Sequence, residues 1–304
     1  MLSVSMIICA SRRTDICAFH SEWFMGRIRA GYALVRNPAY RGLVTKVPLD
    51  PISVDHIDFI TKDASPMLEH LCSLHSDYSL SFQYTITPYG KDLEPNVPSV
   101  EDSISVFNRV SDIIGGDRML WRYDPIIITD RYDVSRHLSD FERMCSLLEG
   151  HTGRCVTSFV KRYAKTEDAM CAHGMTEPDS MTKGHMMTEL SRIARDHGMV
   201  LSHCCLEGGT VGSPCLDPED LRRWGVPYTM PSVPNRDGCR CAYSMDIGEY
   251  DTCMHDCAYC YANGPDRTSR RRRIYSKGSE MLYGELKDED VLKDMTTSVQ
   301  TRLF

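Results

Sequence analysis

The sequence predicts an α/β fold of TIM-barrel type, with a small Cys-rich region toward the C-terminus. Three observations carry that expectation. Short β-type runs alternate with longer helical patterns through most of the chain. The 304 residues are enough to bury roughly 75% of the unfolded surface, and 42% hydrophobic, 25% charged and 9% aromatic residues suit a globular core. Of fourteen cysteines, eight fall between Cys204 and Cys260. An open doubly wound sheet is the alternative arrangement of the same strands.

Met6–Ala10 opens the pattern as a strand. It lacks the basic flank of an export leader, and the polar Ser11-Arg12-Arg13-Thr14-Asp15 follows at once. Further strands are expected at Tyr32–Arg36, Ile57–Thr61, Leu80–Thr87, Arg118–Tyr123, Arg154–Phe159, Met199–His203 and Tyr243–Ile247, and Arg41–Pro48 forms a hairpin with the strand before it. Helices are expected at Ser21–Ala30, Pro66–Leu74, Val100–Ile114, Val134–Leu148 and Pro178–His197. In Val100–Ile114 the residues Ile104, Phe107, Val110, Ile113 and Ile114 recur at helical spacing, and Gly115-Gly116 stops the run. The chain thus divides into a barrel body (1–203), a Cys-rich region holding the last strand (204–262) and a basic, then polar, helix-like appendage (263–304).

Charge narrows the function classes. Thirty-five Lys and Arg against forty-two Asp and Glu leave a net −7, which disfavours nucleic acid as a partner of the whole chain. The dense run Arg267, Arg270, Arg271, Arg272, Arg273 and Lys277 keeps a local phosphate contact open, although a solvated surface segment is the simpler reading. Apolar runs fall short of the ~20 residues that span a bilayer, so no membrane is expected and the cytoplasm is the expected compartment. The sequence has no P-loop, G-x-G-x-x-G, H-E-x-x-H or G-x-S-x-G motif for the corresponding enzymes to stand on.

In a reducing compartment, tightly spaced cysteines point to metal rather than disulfides. The scattered Cys9, Cys17, Cys72, Cys145, Cys155 and Cys171 read as small core residues. Cys253, Cys257 and Cys260 instead form a C-x₃-C-x₂-C loop, which can ligate three corners of a [4Fe–4S] cluster and leave one iron open. Zinc with His255 as fourth ligand, or unligated thiols, are the competing readings. Cys205, Cys215, Cys239 and Cys241 form a looser set for a second site, holding zinc or a second cluster. Of the adjacent Cys204 and Cys205, one is expected in the core, because neighbours on a strand point opposite ways.

Ligands of parallel sheets sit beyond the strands' C-terminal ends. That rule selects Arg12, Arg13 and Asp15, then Gln83 and Tyr84, then Arg122 and Asp124, then His203. The arginines can fork onto carboxylate or phosphate.

The spacing of the triplet resembles the cluster loop of radical S-adenosylmethionine enzymes, and Tyr259 matches the aromatic residue beside the last cysteine. Over nearly its whole length the chain resembles the family called domain of unknown function 1848. The residues carrying this are Ala10–Ile16, Ser21–Phe24, Val35–Pro38, Gln83–Ser99, Trp121–Pro125 and Asp246–Ala262. The resemblance implies Cys253, Cys257 and Cys260 as cluster ligands and S-adenosylmethionine as cofactor, with an electron donor such as ferredoxin or flavodoxin. Tyr259, Arg12, Arg13, Arg122 and Asp124 are then the expected cofactor-binding residues. Because the loop follows the last strand rather than the first, a circularly permuted barrel is implied, its last strand beside its first. The chain departs from the radical pattern in lacking a Gly-Gly-Glu run; Glu207-Gly208-Gly209 has the order reversed. A non-catalytic or electron-transfer metal protein is the alternative, and a zinc hydrolase using His255 or His203 a third.

Overall fold

Side-chain caps fix where the helices begin. In a computed structural model describing residues 5–204, 214–228, 239–264 and 276–296, Asp15, Ser99, Asp133, Asp179 and Asp217 each accept a backbone N–H from the first turn. The elements in order are β1 (Ile7–Ala10), α1 (Ile16–Phe19), α2 (Ser21–Ala30), β2 (Tyr32–Arg36), β3 (Leu43–Pro48), β4 (His56–Thr61), α3 (Leu68–Asp77), β5 (Leu80–Thr85) and α4 (Val100–Ile114). There follow β6 (Met119–Ile126), α5 (Val134–Leu148), β7 (Arg154–Phe159), α6 (Glu167–Ala172), α7 (Ser180–Asp196), β8 (Val200–His203), α8 (Pro218–Arg223), β9 (Met245–Asp246) and β10 (Val291–Asp294). Gly31, at φ 78°, ends α2 in the left-handed region that glycine adopts without strain.

Seven strands form one parallel sheet in the order β8-β7-β6-β5-β4-β1-β9. From β1 to β8 the spatial order follows the chain without reversing, so the right-handed crossovers stack the helices on one face. β9 alone departs from that order, returning to the far side of β1. Ile8, Ile57, Phe59, Phe82, Trp121 and Tyr123 face these helices in the main core. Phe24 of α2 meets Phe59 edge-on, and Phe141 of α5 stacks on Trp121 at 4.9 Å. The alternate residues Asp58, Ser81, Gln83, Arg122 and Asp124 line the opposite, inner face.

That inner face is covered by the Cys-rich region. Leu216, Leu221, Val226, Tyr228 and Ala242 cluster with Ile7, and Cys215 packs with Leu120 and Val156. Trp224, just after α8, stacks on the buried His56 of β4 at 5.5 Å.

The sequence expectation is corrected in four places. The sheet is open: β8 and β9 are its edges among the described residues, so the barrel is not closed. One reason is that Tyr32–Arg36 is not one of its strands; its antiparallel hairpin with β3 diverts it into a separate sheet of order β10-β3-β2. The helix-like tail instead supplies β10, parallel to β3, and Trp23 Nε1 donates to the carbonyl of Ser279 at 2.9 Å as the tail passes. Finally, Cys72 and Cys171 are exposed, whereas Cys9, Cys17, Cys145 and Cys155 are buried as expected. Cys72 lies on α3 between Leu71 and Leu74, which take the inward positions. No helix among the described residues is long and apolar enough to cross a membrane.

Candidate metal centre

β9 lies parallel to β1, with Ile8 opposite Met245 and Cys9 opposite Asp246. Asp246 then receives the Ser11 hydroxyl at 2.6 Å and the Arg12 N–H at 2.8 Å. Gly248 passes so close to Ser11 that a Cβ there would sit 2.1 Å from its Oγ, so only glycine fits. The strand that precedes the cysteine loop is thereby fastened to the first strand.

The loop then spans the C-terminal ends of β1, β4 and β5. Its base is closed by the Asp251 N–H bond to the Ala262 carbonyl at 3.0 Å, and Asn263 Nδ2 donates to the Cys253 carbonyl at 3.1 Å. Asp256, between His255 and Cys257, takes φ 59°, a left-handed conformation that aspartate tolerates better than most residues. Ala258 N–H donates to the Leu93 carbonyl at 2.9 Å, and Asn96 Nδ2 to the Met254 carbonyl at 2.8 Å.

Two buried polar pairs brace the loop from the strand ends. Asp15 faces His255 Nε2 at 2.9 Å while accepting from Thr61 Oγ1 at 2.8 Å and from the Lys62 N–H at 2.7 Å. Burial alone would raise the Asp15 carboxyl, but His255 and these N–H donors more than offset it and hold it below the usual range. Glu94 accepts from Lys62 Nζ at 2.8 Å, from Thr87 Oγ1 at 2.7 Å and from the Tyr259 hydroxyl. Burial would lower Lys62, yet the Glu94 carboxylate keeps it above its ordinary value, so its ammonium stays charged beside the thiols.

Cys253, Cys257 and Cys260 are each half-buried. Burial pushes the Cys253 and Cys257 thiols up, so both favour the protonated form. Among the described residues, Glu22, Glu69 and His70 are a set of three ligand-type groups mutually within 4.8 Å; the three sulfurs are not such a set. Tetrahedral thiolates at 2.3 Å from one zinc stand only ~3.8 Å apart. A cubane binds each thiolate on a different iron and so takes a wider set of sulfurs than a single ion does. His255, the fourth zinc ligand in the competing reading, spends both ring nitrogens on Asp15 and on the Asn96 carbonyl, the latter at 3.3 Å.

Residues 7–262 match the model of a family described as Domain of unknown function (DUF1848). The chain belongs to that family. None of the curated proteins matches it.

The other expected residues of this DUF1848 chain divide into two groups. Arg12 and Arg13 stand beside the loop: Tyr261 donates to the Arg12 carbonyl at 3.2 Å, and the Arg13 guanidinium lies 5.6 Å from the Tyr250 ring centre. Their guanidinia bond the carbonyls of Ser244 at 3.1 Å and Gly248 at 3.2 Å, so they also hold the β9 segment in place. Tyr259 lies beneath Lys62, with Tyr89 edge-on at 6.1 Å. Arg122 and Asp124 stand further along the inner face. Arg122 pairs with Asp124 and donates to Gln83 Oε1 at 2.8 Å and to Cys215 Sγ at 3.3 Å. The Asp124 charge also acts on Lys62. A polar wall therefore runs from Cys257 through Lys62, Asp124 and Arg122 to Cys215.

Of the second cysteine set, Cys215, Cys239 and Cys241 are described, while Cys205 lies outside the described residues, as do Glu207-Gly208-Gly209 and most of the basic run. Cys204 is the neighbour of Cys215, with the sulfurs 3.8 Å apart. His203 packs against Phe159 at 5.9 Å, and burial lowers its pKa. Lys62 and Glu94 were not singled out by the sequence reading. Glu94 lies in the quoted Gln83–Ser99 segment, and an acid in the long loop after β5 was the available signal.

Proposed function

We propose that this protein is an iron–sulfur enzyme of the radical S-adenosylmethionine type, built on an open, circularly permuted relative of the TIM barrel. The observation that carries the reading is the position of the C-x₃-C-x₂-C loop, stretched over the C-terminal ends of three parallel strands. Cys253, Cys257 and Cys260 hold a [4Fe–4S] cluster. When bound and reduced, that cluster with S-adenosylmethionine on its open iron supplies a 5′-deoxyadenosyl radical for hydrogen abstraction from a substrate.

The chain's own part is to position and to exclude water. Asp15 and His255 fix the middle of the loop from beneath. Lys62 places a positive charge beside Cys257 and offsets the negative charge of ligated thiolates. Arg12, Arg13 and Tyr259 flank the loop, and Arg122 and Asp124 continue the polar wall along which the cofactor and substrate lie. A ferredoxin or flavodoxin is the electron donor proposed, and the cytoplasm the compartment.

The test is anaerobic purification with iron and sulfide analysis, then EPR of the reduced protein with and without S-adenosylmethionine. The expected result is about four irons per chain and a signal that shifts on adding the cofactor. Four irons without a shift, or zinc alone, would overturn the proposal.

A further inference from the structure

Four further cysteines of the C-terminal half form a second group outside the triplet's loop. Three segments bring it together: Cys204 just past β8, Cys215 just before α8, and Cys239-Arg240-Cys241 ahead of β9. The Cys204 and Cys215 sulfurs are 3.8 Å apart. Cys241 Sγ accepts the Cys215 N–H at 3.1 Å, and its side chain is in hydrogen-bonding contact with both Cys215 and Cys239. The four thiols thus form a string, Cys204–Cys215–Cys241–Cys239, in which neighbours touch but no three sulfurs lie mutually within 4.8 Å, so a bound ion draws its ends inward.

From this we infer a structural zinc site with Cys204, Cys215, Cys239 and Cys241 as its four thiolate ligands. The inference is independent of the cluster proposed on Cys253, Cys257 and Cys260. Sulfurs bound at 2.3 Å to one tetrahedral zinc stand ~3.8 Å apart, which is the Cys204–Cys215 separation; the thiolates of a cubane sit on separate irons and stand wider. Structural zinc takes a closed shell of four thiolates, and a C-x-C pair joined by two cysteines from other segments supplies one. On binding, four thiols release four protons to solvent and the site carries a net −2. Arg122, whose Nη1 lies 3.3 Å from Cys215 Sγ, supplies the compensating positive charge and an N–H donor to sulfur. Leu120 and Val156 form a dry floor beneath.

The role follows from the position. β8 is the edge of the main sheet, whereas Cys215 and the Cys239–Cys241 pair belong to the cover over its inner face. An ion shared among them fastens the cover to the sheet edge and holds Arg122, and through it Asp124, in the polar wall. The sequence alone places Cys205 in this set, but the structure puts its neighbour Cys204 against Cys215.

The experiment is metal analysis of the full chain purified anaerobically, for the unaltered protein and for C204S, C205S, C241S and C253A, together with zinc-edge X-ray absorption on the unaltered protein. The expected result is one zinc per chain with four sulfurs at about 2.3 Å. Zinc is expected to fall at least about tenfold in C204S and C241S, with iron unchanged, and to persist in C205S and C253A, the latter losing iron. About eight irons and no zinc would overturn the inference, as would a zinc-free protein, a zinc bound by fewer than four sulfurs, or zinc lost with Cys205 rather than Cys204. The absorption measurement needs no variant, so misfolding of a serine substitution cannot mask the answer. Zinc without iron would sink the proposed function and leave this site standing.

Discussion

Asp58, at the centre of the inner face, is buried, and among the described residues Ser81 Oγ at 2.8 Å and Gln83 Nε2 at 2.6 Å are its hydrogen-bond donors. Burial raises its carboxyl from 3.8 to about 6, even though Arg12 and Arg122 pull it down. Its native pKa lies above the unfolded one, so the native state holds an extra proton between those values. The associated stability is present below about pH 4 and is lost as pH rises through about 6. Asp58→Asn should therefore gain on the unaltered protein by on the order of 3 kcal/mol between pH 4 and 7.5, read as the difference between two thermal-unfolding curves across that range. Parallel curves would mean that Asp58 has an ordinary acidity. At this scale the sequence was legible where chemistry and spacing coincide. The triplet, and Arg12, Arg13 and Asp15 after the first strand, stand out unaided. Lys62 and Glu94 do not, because single charged residues in polar loops become a buried pair only through tertiary contact.

Among elements, the join between β9 and β1 is the one on which the cysteine loop depends. Two register pairs hold it, with Asp246 receiving Ser11 and Arg12 and with Gly248 pressed against Ser11. Gly248→Ala forces the strands apart, and a cost of roughly 2–4 kcal/mol is expected, seen as a lower urea midpoint at unchanged m-value. The same variant should retain less iron when purified anaerobically, since the loop's base shifts with the strand. Retention of both stability and iron would show that the join is dispensable. Four elements, Ser21–Ala30, Val100–Ile114, Val134–Leu148 and Arg154–Phe159, appear with the expected bounds, because their hydrophobic period matches the element they form. Element prediction failed on partners. Tyr32–Arg36 is a strand as expected, but its alternation does not state which sheet it joins, and the adjacent hairpin decides that.

For the whole molecule, the tail is a strap across the N-terminal layer. β10 completes the small sheet, Leu282 enters the main core, and the Ser279 and Gly278 carbonyls accept from Trp23 and Arg27. A chain ended at Tyr275 should expose the otherwise fully buried Trp23, lowering the melting temperature and shifting tryptophan emission to the red. Unchanged emission would mean that the strap contributes no cover. Fold class was legible from alternation, but openness was not, because closure depends on strand number and on which strands are diverted.

The pairing of the first strand with almost the last has a consequence for biosynthesis. β1 leaves the ribosome long before its neighbour Met245–Asp246, which is more than two hundred residues behind. At about 5–20 residues per second, that edge waits for tens of seconds with its backbone donors and acceptors unpaired. The cysteine loop emerges later still, when every strand end it rests on has already been translated. A cluster of the kind proposed could be inserted only after residue 260 has been made, and a nascent chain stalled before residue 245 leaves β1 an open edge for chaperones and proteases.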